Sequence, residues 1–226
     1  MKTKAEIVEN WLTRYTGVAL EDFGDHILLT NFQHYVDLFA ERTGAPVMGR
    51  DKSMSSCTHE GITIINFGMG SPNAATVMDL LSAISPKAVL FLGKCGGLKK
   101  RNSIGDLILP IGAIRGEGTS NDYFPPEVPA MPSFALQKAV STTIRDHQTN
   151  YWTGTVYTTN RRVWEFDAKF KKYLKRVPCL GRWHLLKICA GSNTHLKRPC
   201  GGCCFPQFLG NHVASGCPSS NDDASR

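Results

Sequence analysis

No run of this chain approaches the roughly 18 consecutive apolar residues that a membrane span requires. The opening stretch, MKTKAEIVENWLTRY, carries acids and a tryptophan where a secretion signal needs an apolar core, so a cytoplasmic location is expected. Cysteine is scarce over most of the length, with only Cys57 and Cys95 ahead of residue 171. Without a secretion signal a disulfide framework is not expected either. Residues 1–170 also lack an excess of one charge: they hold 17 basic and 17 acidic residues, which argues against a nucleic-acid-binding face there.

What the first part lacks, the last part has. Residues 171–226 carry nine basic residues against Asp222 and Asp223 alone, so the net charge of +7 belongs to them. They also hold Cys179, Cys189, Cys200, Cys203, Cys204 and Cys217. Two compositional classes share one chain, and the boundary near residue 176 divides it into an α/β domain (1–176) and a basic, Cys-rich tail (177–226).

Across 1–176, helix and strand signals alternate. Ile7, Val8, Trp11 and Leu12 share one helical face, and HILLT (26–30) is a short buried-strand run. Asn31 is expected to cap a helix carrying Phe32, Tyr35, Val36 and Phe39, which Gly44 stops. ITIINFG (62–68) predicts a strand that ends in a glycine turn, and Ser71-Pro72 an N-cap and first helical residue. KAVLFLG (87–93), GDLILPIGAI (105–114) and YWTGTVYTT (151–159) predict further strands. Ser133 is placed to cap a helix beginning FALQKAV, and RVWEFDAKFKKYLKR (162–176) is an amphipathic helix. The expectation is a mixed, partly parallel central sheet flanked by helices, with its C-terminal strands missing or replaced. In such sheets ligands bind beyond the carboxyl ends of strands, which singles out Gly68–Gly70 and Gly93–Gly97 as neighbouring site turns.

Gly93-Lys94-Cys95-Gly96-Gly97 lacks the spacing and hydroxyl residue of a nucleotide-triphosphate P-loop, and GMG at 68–70 is only half of a dinucleotide fingerprint. A lysine among glycines still suits an anion, through its charge and nearby backbone N–H groups; the bland alternative is a tight turn. Arg115, Glu117, Thr119, Ser120, Asn121, Asp122 and Tyr123 crowd into nine residues after a strand. That density fits recognition of a polar planar ligand, or simply a solvated loop. Arg161 and Arg162 beside Trp164 could grip a phosphate or open a helix.

INFGMGSPNAATVMDLL, VLFLGKCGGLK, GDLILPIGAIRGEGTSNDYFPPEVPA and TGTVYTTNRRVWEFD together resemble the AMP nucleosidases of the nucleoside phosphorylase/uridine phosphorylase superfamily. The likeness covers residues 1–176 and is to the short form of the enzyme, without an extra N-terminal domain. It implies a phosphorylase-like α/β fold, a homo-oligomer (a hexamer built from dimers), no cofactor, and hydrolysis of AMP to adenine and ribose 5-phosphate. Neither nucleic acid nor membrane is implied as a partner. In the phosphorylases an arginine and a serine at the glycine turn grip inorganic phosphate; here Phe91 stands at the arginine place and Lys94 at the serine place. That loss fits an enzyme using water on a substrate that carries its own phosphate.

The substrate-binding residues expected from this reading are Gly70, Lys94, Cys95, Gly96, Arg115, Glu117, Thr119, Ser120, Tyr123, Thr159, Asn160, Arg161 and Arg162. The chemistry calls for an acid near N7 of the base, hydrogen bonds to the ribose hydroxyls, and cations on the 5′-phosphate.

The resemblance breaks after Arg176. The family continues with an Asp-Met-Glu-Thr-Ala strand whose Met and Glu hold ribose, and later a Ser-Asp whose aspartate is the proposed acid; this sequence has neither, so no catalytic residue is assigned. A frameshift at or near codons 176–180 accounts together for the cysteines, the basic excess, the lost periodicity and the early stop. The rivals are a disordered tail and a zinc module. Cys200 and Cys203 have zinc-ligand spacing, with Cys189, His195, Cys204 and His212 nearby, but the adjacent Cys203-Cys204 and the lack of a second spaced pair weaken it. Three functions follow: a hydrolase by ancestry with little turnover in this chain, a non-catalytic nucleotide-binding or oligomer-forming relative, and a zinc-dependent nucleic-acid binder.

Overall fold

The computed structural model describes residues 2–97, 103, 105–161, 166–176, 183–184 and 200–203. Parallel strands β1 (His26–Thr30), β3 (Ile62–Asn66) and β4 (Ala88–Gly97) form one half of the sheet, with β1 between the other two. Their register is level: Thr30 stands opposite Asn66 on one side and Leu92 on the other. Strand β2 (Ser55–His59) closes this half, antiparallel to β3.

The long strands β5 (Leu107–Gly116) and β6 (Tyr151–Thr159) pair in parallel, with a register shift between Pro110 and Gly112. Two short tail segments, β7 (Trp183–His184) and β8 (Cys200–Cys203), pair antiparallel with β4 and parallel with β6 and β5 respectively. The sheet order is β2-β3-β1-β4-β7-β6-β5-β8.

Side-chain alternation explains the layers. Ile27 and Leu29 point into the main core with α1 (Lys4–Thr16) and α3 (Ser71–Leu81), which contribute Val8, Leu12, Val77, Leu80 and Leu81. Leu28 joins the opposite cluster, where Val36 of α2 (Gln33–Thr43) packs on Cys57 and Ile64. A strand covered on both faces reads as continuously apolar, as HILLT does. Helix α4 (Phe134–Asp146) lies along β5, where Gln137 donates to the Pro110 carbonyl at 2.8 Å. Helix α5 (Ala168–Arg176) covers β5 and β6 through Leu174 and Phe170 against Tyr157 and Ile114. Among the described residues no helix is long and apolar enough to cross a membrane.

Several local expectations change. Phe32, not Asn31, is the N-cap of α2, and the Asn31 amide makes no cap hydrogen bond. Gly70, at φ +95°, caps α3, so Ser71 is already helical. A side chain there would be strained at that φ. Ser133 caps α4 without a side-chain hydrogen bond. Helix α5 starts at Ala168, where Asp167 Oδ1 accepts from the Phe170 N–H at 2.8 Å; residues 162–165 lie outside the described ones. The largest difference concerns Gly93–Gly97, which continues β4 and is not a turn. Pairing with β8 at Gly93 and Cys95 and with β7 at Gly96 and Gly97 overrides the low strand preference of glycine.

Candidate functional site

At the end of β5 the chain makes an excursion from Glu117 to Pro129 and returns to pair Ala130 with Ala113. Arg115 organises it. Its Nε donates to Ser120 Oγ (2.8 Å), Nη1 to the carbonyls of Pro125 (2.7 Å) and Val128 (2.9 Å), and Nη2 to Asn121 Oδ1 (3.0 Å) and the Phe124 carbonyl (2.8 Å). A guanidinium has five N–H groups, and all five meet an acceptor here. Arg115 therefore holds the loop and keeps no donor for a ligand.

The buried Glu117 carboxylate accepts from both the backbone N–H and the hydroxyl of Ser120. Ser120 Oγ thus stands between cation and carboxylate, accepting from one and donating to the other. The Glu117 carbonyl accepts from Asn160 Nδ2, which ties the end of β6 to this loop. Tyr123 donates its hydroxyl to Asp79 Oδ2 of α3 at 2.8 Å, and burial, reinforced by the adjacent Asp79, pushes its phenol up to about 12. The polar density that reads in sequence as ligand recognition is largely turned inward. Thr119 lies half-buried in the 3₁₀ turn Thr119–Asp122.

Thr159 ends β6, buried, and its hydroxyl accepts from the Arg161 N–H at 3.1 Å. Arg161 pairs with Asp167 at 2.7 Å and lies over the Phe170 ring at 4.7 Å. Phe170 in turn stacks on Tyr173. Arg162 lies outside the described residues.

The second group gathers where β1 and β3 run out and β4 continues past them. Lys94 Nζ stands 4.7 Å above the Phe32 ring and 5.6 Å from that of Tyr35, both on or beside the first turn of α2. Gly68 is held by its N–H donating to Asn66 Oδ1 (3.1 Å), and Asn66 Nδ2 reaches Gln33 Oε1 (3.1 Å), which also takes the Ser55 hydroxyl at 2.5 Å. That polar chain fixes the Gly68–Gly70 turn against α2. Cys95 alternates to the other face and is fully buried in the main core, as is Phe91, which packs on Phe67 at 5.6 Å. Gly96 pairs with β7.

The expected residues thus fall into two groups joined by α3. That helix begins at the Gly70 turn and carries Asp79 eight residues on, about 12 Å along its axis. Sequence reading missed Gln33, Asn66 and Asp79, and gave Asn31 only as a helix cap. Phe32 and Tyr35 looked like a plain apolar helix face.

The arrangement is that of an α/β protein with loops converging at the ends of parallel strands, where such folds hold small ligands. A model of the Phosphorylase superfamily matches residues 23–181, and the chain belongs to that superfamily. It is 63% identical to a crystal structure of AMP nucleosidase from Bacteroides thetaiotaomicron VPI-5482, covering 80% of this chain and 79% of that one at a TM-score of 0.78. It is 28% identical to AMP nucleosidase of Escherichia coli (strain K12) over 68% of this chain, and spans 41% of that relative's length. Uridine phosphorylase from Vibrio fischeri ES114, at 23% identity and a TM-score of 0.63, shares the fold over 73% of this chain and 70% of that one.

Proposed function

We propose that the chain is a relative of AMP-hydrolysing N-glycosidases whose 1–176 domain retains nucleotide binding. Hydrolysis of AMP to adenine and ribose 5-phosphate is its ancestral reaction. The observation that carries this reading is the 63% identity to the Bacteroides AMP nucleosidase over four fifths of the chain. Phe91, buried on Phe67, supports it: an apolar ring there leaves no arginine to bind phosphate as a nucleophile, so the domain suits water as the attacking group.

The chain's own residues supply positioning more than acid–base chemistry. The Gly68–Gly70 turn and Lys94 offer donors to an anionic ligand, while Arg115, Ser120 and Glu117 fix the β5 loop against Asn160. The segment after Arg176 contains neither carboxylate motif of the family, and we read it as out-of-frame sequence. The chain is accordingly expected to bind AMP and release little adenine. Incubating the purified full chain with AMP and assaying adenine by chromatography tests this. Multiple turnovers per chain would show that the acid is present after all.

A homo-oligomer in the cytoplasm fits the same reading. Phe134 is 82% exposed, and Met131 and Ile111 are exposed too, apolar side chains that a second copy would cover. Light scattering on the purified chain reads the state directly.

A further inference from the structure

We propose that Lys94 is the residue that reads the phosphate group of a nucleoside monophosphate, and so sets preference for nucleotide over nucleoside. The inference rests on the nucleotide reading above. It starts from the fate of the candidate cations. Arg115 has all five donors occupied by its own loop, and Arg161 is paired with Asp167. Lys94 differs. Among the described residues no carboxylate lies within ion-pairing distance of it, and no acceptor takes its N–H groups. Two aromatic rings hold the ammonium instead. Rings attract a cation through their negative faces but leave its three N–H donors to find another acceptor.

Placement points the same way. Phe32, Gly68 and Lys94 each stand two residues beyond the level register of Thr30, Asn66 and Leu92. Phe32 sits within reach of the Lys94 ammonium, where β1 has ended and β4 runs on, and Gly68 follows the end of β3 on the far side of β1. Helices α2 and α3 both begin there, and neither N-cap residue supplies a side-chain hydrogen bond. The first N–H groups of α2, whose N-cap residue Phe32 lies under the ammonium, therefore add positive partial charge beside it. Asn31, next to Phe32 in sequence, has both amide atoms enclosed without a hydrogen-bond partner. A phosphate oxyanion suits the ammonium and the helix N–H donors better than a neutral ligand does.

The same chemistry would take a free phosphate ion, so the test separates the two sources. AMP, adenosine and inorganic phosphate are titrated calorimetrically into the full chain, and into its K94M and K94R variants. Methionine keeps the packing on Phe32 and Tyr35, and arginine keeps the charge. Loss of a charge-assisted hydrogen bond predicts an AMP affinity at least roughly tenfold weaker in K94M, adenosine affinity unchanged within about twofold, and partial recovery in K94R. If AMP and adenosine weaken together, Lys94 is only packing and the inference fails. If K94M weakens inorganic phosphate but leaves AMP untouched, Lys94 serves a separate anion and the inference fails as well. If the unaltered chain binds neither AMP nor adenosine, the nucleotide reading itself falls, a result distinct from both.

Discussion

The far part of β4 and the end of β5 each carry a cation, Lys94 and Arg115, yet they use their cations in opposite ways. At β5, Arg115 gives every donor to five acceptors in thirteen residues of its own chain, and an otherwise polar excursion becomes a fixed loop. At β4, Lys94 rests on Phe32 and Tyr35 with no anionic partner among the described residues. The guanidinium is a planar fork suited to several fixed acceptors, whereas the ammonium is a compact charge on a flexible stem. One end is arranged for the fold; the other is the one we propose for a ligand. Cation identity alone would have ranked them the other way, because arginine is the commoner phosphate-binding residue.

That contrast can be broken by substitution, and the largest effect belongs to Arg115. R115M leaves three carbonyls, Ser120 Oγ and Asn121 Oδ1 without their donor, and should cost about 3 kcal/mol of stability, since hydrogen bonds to a charged group contribute ~1.5–3 kcal/mol each and several here can rehydrate. A denaturant melt reads it. If R115M instead weakens AMP binding at unchanged stability, the two ends have been assigned the wrong way round.

Tyr123 comes next. Y123F removes the hydrogen bond to Asp79 that fastens the loop to α3, and should cost about 1 kcal/mol. It should also change the alkaline limb of the stability profile. The folded phenol holds its proton up to about 12, against 10 for the free group, because it is buried and faces Asp79. Between those values the folded chain binds more protons than the unfolded one, so stability falls as pH rises through the window; below pH 10 the contribution is fully present. Y123F should flatten that part of the decline. An identical profile in the variant would mean that the phenol is not enclosed.

The smallest stability effect is expected from K94M, within about 1 kcal/mol, because only a cation–π contact is lost. A melt as deep as that of R115M would make Lys94 a structural residue like its counterpart.

Much of the scaffold is legible in the sequence because its strands obey simple patterns. HILLT and ITIIN are apolar on both faces, and both faces are covered. Strand β2 escapes that logic: SSCTH is polar by composition, yet Ser55, Ser56 and Cys57 are buried against β3 and α2. Its one visible signal is the Glu60-Gly61 pair, both at positive φ, which makes a two-residue hairpin turn. Gly93–Gly97 misleads in the other direction, since five small or polar residues read as a turn until neighbouring strands are known. The site is less legible than the scaffold. Sequence shows that Arg115 and Lys94 are cations near strand ends, but which of them is already satisfied depends on carbonyls at Phe124, Pro125 and Val128 that no residue type announces. Asp79, forty-four residues from its partner Tyr123, is likewise invisible without the fold.

The central claim is that a nucleotide-binding domain persists here without its hydrolytic acid. The most direct measurement is the melting temperature of the full chain with and without saturating AMP, with adenine assayed in the same samples. The account predicts a clear upward shift, as ligand binding to the folded state requires, and adenine at the level of the protein-free control. An unshifted melt, or adenine accumulating in proportion to protein, would contradict it.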